Sequence, residues 1–545
     1  MQEWIEKELA TAHFGTVHTR TKARKPKTRK SRSRKSKGNV KLQKRLRKVL
    51  NAMSQKPSLK FPAGCNGSAE TKAAYRFLDN EHVTFKTVLA PHQDATLERI
   101  RDQPVVLIPQ DTTELDLTRP NQVMTGAGPL DDTTRVGFFD HISLALTPEH
   151  LALGVADAKV WARAALGPHK DAAQKRAERR AKPIEEKESI RWVEGYRAAC
   201  QVARAAPGTL IVSLADSDGD VYEYLLEAQA APGVVKASFI IRACQNRALV
   251  NPEAASSSHP MRHLRERVAG TPVLAQRTLE IRKRDAPAAE DRKRKQAREA
   301  RTAVVDICAA RVRLRGPERP GGKLPDLEVN AVLVLERNPP PGVEPVEWLL
   351  LTDLPIDTVE DVLRVVDYYT CRWQIEIYNR ILKSGSKVEE SQMETAERFE
   401  PYLALCMIVA WRVMYVMMLG RDCPDLPCDI ALDEDEWQAV YATVKRQPPP
   451  PEPPTMQTMV RLIGSLGGWL GRKCDGEPGP KAMWVGMQRM TDLALGWRAR
   501  AERPAPPGTD RPGSRRRRQS KATGDPADAA VRAGPNPAAV GLIRP

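Results

Sequence analysis

Residues 104–117 read PVVLIPQDTTELDL, and residues 209–228 read TLIVSLADSDGDVYEYLLEA. Each is a short aliphatic run that ends on an acidic side chain, Asp111 in the first and Asp216 in the second. An apolar run without polar alternation marks a strand buried on both faces. The first therefore predicts a strand from Val105 to Ile108 running into Asp111. The second predicts a strand from Leu210 to Leu214 that delivers Asp216 at its carboxyl end, ahead of a helix. Between them, FFDHISLALTPEHLALGVADAKVWAR (138–163) predicts two strands turning at Pro148, a hairpin beside the first strand. Residues 171–200 read as a charged loop and a helix, and SFIIRACQNR (238–247) supplies a fifth strand. Strand, hairpin, helix, strand, helix, strand is the order of a mixed α/β sheet with an acidic cluster at its edge. Local chemistry offers rival roles. Asp-Thr-Thr suits a turn or cap, and Asp216 suits an N-cap, with Asp218 and Asp220 as competitors for any functional part.

Further along, residues 368–385 read YYTCRWQIEIYNRILKSG. Tyr369, Arg372, Glu376 and Lys383 follow one another at offsets of three, four and seven, which on a regular helix places them within an arc of about 60°. One face then presents a carboxylate flanked by a phenol, a guanidinium and an ammonium. Such a carboxylate can hold a hard cation while its neighbours grip a phosphodiester backbone. A solvated stripe with i,i+4 charge pairing has the same spacing. If Asp111, Asp216 and Glu376 converge, three oxygen ligands without His or Cys select Mg²⁺ or Mn²⁺ over zinc. Two such ions, about 4 Å apart, activate a water or sugar hydroxyl and stabilise a leaving oxygen.

The bulk properties agree with a polyanionic partner. With 86 Lys and Arg against 68 Asp and Glu, the chain carries a formal charge of +18, which favours nucleic acid over a membrane surface. Its 545 residues exceed one compact core, so several domains are expected. The most apolar stretch, PYLALCMIVAWRVMYVMMLG (401–420), is short for a span and broken by Arg412, so a buried core helix is expected. The opening MQEWIEKELATAHFG has no apolar signal core, and a cytoplasmic location follows by default. Nine scattered cysteines without zinc-ligand spacing read as free thiols.

Composition divides the chain further. Residues 1–95 combine a basic arm, where every charge from Arg20 to Lys48 is Lys or Arg, with helices over NVKLQKRLRKVLNAM and SAETKAAYRFLDN. The arm is expected not to fold unaided. In the second helix Ala73, Tyr75 and Phe77 or Leu78 are the expected buried positions. The α/β core spans 96–244 and resumes over 361–440, interrupted by a β-rich insertion at 245–360. A Pro-rich linker (441–456), a helical module (457–501) and a disordered Pro/Arg-rich tail (502–545) complete the expected order.

These motifs resemble the DDE transposases of the insertion-sequence-four type, a family that includes the transposon-five transposase. The resemblance rests on VVLIPQDTT, LADSDGDVYEYL and the Tyr-x-x-Arg-x-x-x-Glu-x-x-x-x-x-x-Lys pattern at 369–383. AETKAAYRF, EKESIRW, FIIRA and EWLLLTDLP also match, and the likeness runs from about Lys41 to Arg498. It implies an RNase H-like core, a metal-binding triad of Asp111, Asp216 and Glu376, and two Mg²⁺ or Mn²⁺ ions. It further implies contacts to transposon-end DNA by Tyr369, Arg372, Lys383 and Arg242, and a base-stacking role for Trp348. Family members work as dimers on two transposon ends and pass through a DNA hairpin. The same resemblance places Met487, Met490 and Leu493 in a region where relatives dimerise. A different class also fits: a DNA-binding relative without catalysis that inhibits transposition. A structure-selective nuclease of the same fold is a third.

Overall fold

A computed structural model describes residues 2–12, 29–56, 61–64, 67–120, 122–130, 134–164, 172–229, 233–250, 262–281 and 299–501. The strand that begins at Val105 lies at the centre of the sheet and is longer than its apolar run. This strand, β1 (Val105–Asp116), continues straight through Asp111. The core strands that follow are β2 (Gly128–Pro129), β3 (Val136–Leu146), β4 (Ala152–Trp161), β5 (Leu210–Ala215) and β6 (Ser238–Arg242). Two partners flank β1. Val105–Pro109 pair in parallel with β5, and Leu107 and Gln110–Asp116 pair antiparallel with β3. The second pairing keeps Asp111 in extended backbone, where Asp-Thr-Thr alone suggested a turn or cap. Strand order β4-β3-β1-β5-β6, with β3 antiparallel to the rest, is an RNase H-like arrangement.

The β-rich insertion continues this sheet. It supplies β7 (Ala275–Ile281), β8 (Arg301–Leu314), a small ribbon of β9 (Glu318–Arg319) and β10 (Gly322–Lys323), then β11 (Leu327–Glu336) and β12 (Glu347–Thr352). β12 pairs antiparallel with β6, and the order runs on as β12-β11-β8-β7 to make ten strands.

Period-two alternation divides the side chains of these strands between two cores. Val106, Ile108, Ile211, Phe239 and Ile241 face one side. That side is packed by α7 (Ile190–Ala205), α8 (Tyr222–Ala228) and α9 (Leu264–Ala269). Leu107, Val212, Leu214, Ile240, Val332 and Leu350 face the other, under α10 (Val359–Thr370). The contact between β1 and α7 is close: a Cβ on Gly195 would lie 2.2 Å from the side-chain oxygen of Gln110.

The terminal helices share a third core. At the N-terminal end these are α1 (Gln2–Glu8), α2 (Arg29–Gln55), α3 (Phe61–Gly64), α4 (Ser68–Leu78) and α5 (Phe85–Arg101). α6 (Ala172–Ala181) precedes α7, and α11 (Gln374–Arg380) follows α10. At the C-terminal end are α12 (Ala396–Asp422), α13 (Glu434–Lys445), α14 (Met456–Leu466) and α15 (Pro480–Ala501). α12 is long and apolar enough to cross a bilayer, but its apolar window is 94% buried inside the protein. Arg412, which interrupts it, is buried against Glu436 at 3.4 Å.

Several expectations are corrected here. The described residues up to Arg498 form one compact unit, because Leu46, Leu50, Phe77 and Val88 join the same apolar core as α12 and α14. The basic stretch is helical from Arg29 onward: α2 is anchored by Leu46, Val49 and Leu50, and extending a nucleated helix is far easier than starting one. On α4 the buried positions are Ala74, Phe77 and Leu78, so Ala73 and Tyr75 were one residue out of phase. α13 runs to Lys445, into the expected linker, and stops where Arg446 turns left-handed. Met487 and Met490 are buried in this chain's own core. The expected disordered tail from 502 lies outside the described residues, as do residues 13–28 of the basic arm.

Candidate active site

The register of the sheet brings Asp111, Asp216 and Arg242 into one row. Pro109 pairs with Leu214, so two residues further on Asp111 falls opposite Asp216. Ala215 pairs with Ile241, so Asp216, still extended at φ −81° and ψ −164°, falls opposite Arg242. Arg242 pairs with Leu350, and Trp348 lies two residues from it on the same face of β12. Neighbouring strands are about 4.8 Å apart. Asp111, Asp216 and Arg242 thus form a line across three strands, one step beyond the apolar row that α10 covers.

The chain past α10 faces that line. α10 ends in a single 3₁₀ turn at Cys371–Trp373, α11 carries Glu376, and a π-helical turn follows at Ile381–Gly385. The expected regular helix is therefore interrupted twice, and the 60° arc does not hold as drawn. The interruptions have different effects on the four residues. Tyr369 is 5% exposed and meets Trp348 edge-on, with ring centroids 5.6 Å apart. Arg372 donates to Glu376 Oε1 at 2.7 Å. Lys383, within the π turn, donates to the Glu114 carbonyl at 2.8 Å and lies 3.1 Å from Glu389.

Electrostatics tie the groups together. Burial pushes the Asp111 carboxyl up to about 7, the negative charges of Asp216 and Glu376 add to the rise, and Arg372 opposes it. Burial pushes the Tyr369 phenol up to about 12 despite the nearby Arg372 and Arg242. The Arg372 guanidinium is raised even though burial works against it, because Tyr369, Glu376 and Asp216 surround it. The three carboxylates predicted from sequence therefore share one electrostatic neighbourhood.

They do not form a finished ion cage. Among the described residues no three His, Cys, Asp or Glu side chains stand close enough to hold an ion as they are. Coulombic influence reaches further than a coordination bond of about 2 Å, which reconciles the two observations. Glu376 is turned onto Arg372, and Asp216 Oδ1 accepts from the Asp218 backbone N–H at 2.8 Å, so the N-cap reading of Asp216 also holds. The donor set still fits a hard divalent cation: all oxygen, no sulfur or imidazole, with surplus negative charge around a half-buried carboxyl.

One rival of Asp216, Asp220, has a structural role of its own. Asp220 is fully buried, paired with Arg247, and accepts from the backbone N–H groups of Cys244 and Gln245 at 2.9 and 3.0 Å. It braces the loop after β6. Sequence reasoning missed Asn379, whose Nδ2 donates to Asp111 Oδ2 at 2.8 Å. Its spacing of three from Glu376 was a usable signal, since i and i+3 share a helix face. Trp373, 56% exposed beside Arg372, was also passed over.

Comparison with known proteins agrees at both ends of the chain. Residues 38–83 match a family model described as transposase DNA-binding, and residues 408–503 match one described as the transposase Tn5 dimerisation domain. The chain thus carries a DNA-binding segment and a dimerisation segment of transposase type. Among solved structures, a piggyBac transposase synaptic complex with hairpin DNA, determined by cryo-electron microscopy, is similar at 8% identity and a TM-score of 0.29. That alignment covers 92% of this chain and 79% of the other.

Proposed function

We propose that this protein is a cut-and-paste DNA transposase of the insertion-sequence-four type, with Asp111, Asp216 and Glu376 as its catalytic carboxylates. The observation that carries the proposal is the register row of Asp111 and Asp216 facing Glu376 and Arg372, between a DNA-binding segment and a dimerisation segment. Those three carboxylates would hold one or two Mg²⁺ or Mn²⁺ ions, with Glu376 released from Arg372. Bound there, such ions supply an activated hydroxyl for phosphodiester cleavage and strand transfer, and charge stabilisation of the leaving oxygen. Arg372, freed in the same movement, is placed to bind a phosphate, as are Arg242 and Lys383 at the flanks. Tyr369 braces Trp348, whose ring offers a stacking surface for an unstacked base of a hairpin intermediate. The working form would be a homodimer on two transposon ends, in the cytoplasm.

The test is strand cleavage of a duplex bearing the inverted repeats that flank the gene, with Mg²⁺. Asp111→Ala, Asp216→Ala and Glu376→Ala should each abolish cleavage while the gel shift of the duplex persists. Loss of the gel shift in all three, or undiminished cleavage, would refute the assignment. The committed Glu376–Arg372 pair favours one alternative, a DNA-binding relative that inhibits transposition without cutting. That alternative predicts a gel shift and no Mg²⁺-dependent nicking by the unmodified protein.

A further inference from the structure

Asn379 is anomalous among its neighbours. On α11 and the following turn Ile375, Tyr378, Ile381 and Leu382 are all at most 1% exposed, and Asn379 is 7% exposed among them. Its Nδ2 donates to Asp111 Oδ2 at 2.8 Å, while its Oδ1 is buried with no hydrogen-bond partner among the described residues. An ionised carboxylate only accepts, so the nitrogen end must face Asp111. A buried amide with one end unsatisfied is a net burden on stability. A leucine of similar volume would pack there without it. The position therefore holds an amide for the sake of its donor.

Resting on the functional reading above, we infer that Asn379 is a positioning residue that fixes the Asp111 carboxylate by occupying one of its two oxygens. With Oδ2 held, the Asp111 carboxylate would present its other oxygen to a cation in a fixed orientation. The same bond ties α11, which carries Glu376 one turn earlier, to β1. Lys383 donating to the Glu114 carbonyl is the second tie between these segments, further along both. Together they set the gap between the strand carboxylates and the helix carboxylate. Hydrogen bonds of this kind, behind the metal ligands, typically govern 10–100-fold in metal affinity.

The test uses the full-length chain with Asn379→Leu, Asn379→Ala and, as reference, Asp111→Ala. Mn²⁺ binding to the DNA-bound protein is measured by electron paramagnetic resonance of the free ion, alongside melting temperature in EDTA and gel shift. Asn379→Leu should fold and still shift DNA, with at most a small fall in melting, yet bind Mn²⁺ about 10–100-fold more weakly. A residue that merely packs would show the reverse, lowered melting with unchanged Mn²⁺ binding, and that result overturns the inference. Should Asn379→Ala fail to fold, the leucine variant carries the measurement. If the unmodified protein binds Mn²⁺ no better than Asp111→Ala does, the metal reading itself fails. That outcome is distinct from unchanged affinity in the Asn379 variants.

Discussion

Removing the charge of Asp111 should stabilise the metal-free protein and flatten its response to pH. The carboxyl is raised from 3.8 to about 7 by burial and by Asp216 and Glu376. The folded protein therefore binds that proton more tightly than the unfolded chain. Its contribution to stability is whole below pH 3.8, falls as pH rises through the window between 3.8 and about 7, and is flat above. Integrating over that window, the loss relative to acid is roughly 2 kcal/mol at pH 5 and roughly 4 kcal/mol at pH 8. Asp111→Asn keeps an acceptor for Asn379 and removes the titration. In urea unfolding with EDTA, the unmodified protein should lose roughly 2 kcal/mol more than Asp111→Asn between pH 5 and pH 8. Adding Mg²⁺ at pH 8 should recover stability in the unmodified protein and leave Asp111→Asn nearly unchanged. Parallel pH profiles for the two proteins would refute the claim that burial, with the charges of Asp216 and Glu376, raises the Asp111 carboxyl.

Two further outcomes follow from packing. Met490 is fully buried, so Met490→Ala should cost about 2–5 kcal/mol by denaturant titration, independent of protein concentration. A loss that vanishes at high concentration would instead place Met490 at an interface between chains. Glu8 lies at 1% exposure between the buried His92 and the part-exposed Arg99. Glu8→Ala leaves the buried His92 ring without its carboxylate partner and removes one of the partners of the part-exposed Arg99, and should cost about 1–3 kcal/mol, seen as lowered melting and faster proteolysis of α1.

Both acidic residues that follow the apolar runs were legible in the sequence because they depend on local patterning. A run such as VVLI or LIVSL has little choice but to be a buried strand, and the residue that ends it lies at a predictable sheet position. The helix face with Arg372 and Glu376 was legible for the same reason, since spacing along one helix is a local property. Other features were illegible because partners far along the chain decide them. Asp111 remains in a strand because β3 arrives from residues 136–146 to pair with it. Met490 is core because α15 docks beside α12 and α14, a matter of where apolar faces meet. The fate of Asp220 depended on Arg247 and the loop behind β6.

Sequence by itself determined which side chains could do chemistry and which strands or helices would carry them. Hydrophobic periodicity and hard-oxygen donor chemistry are written residue by residue. Only the tertiary structure decided that Asp111, Asp216 and Arg242 share one register row and that Asn379 grips Asp111 across 268 positions of chain. Strand order and hydrogen-bond register are set by pairings between distant segments, which no local window of residues contains.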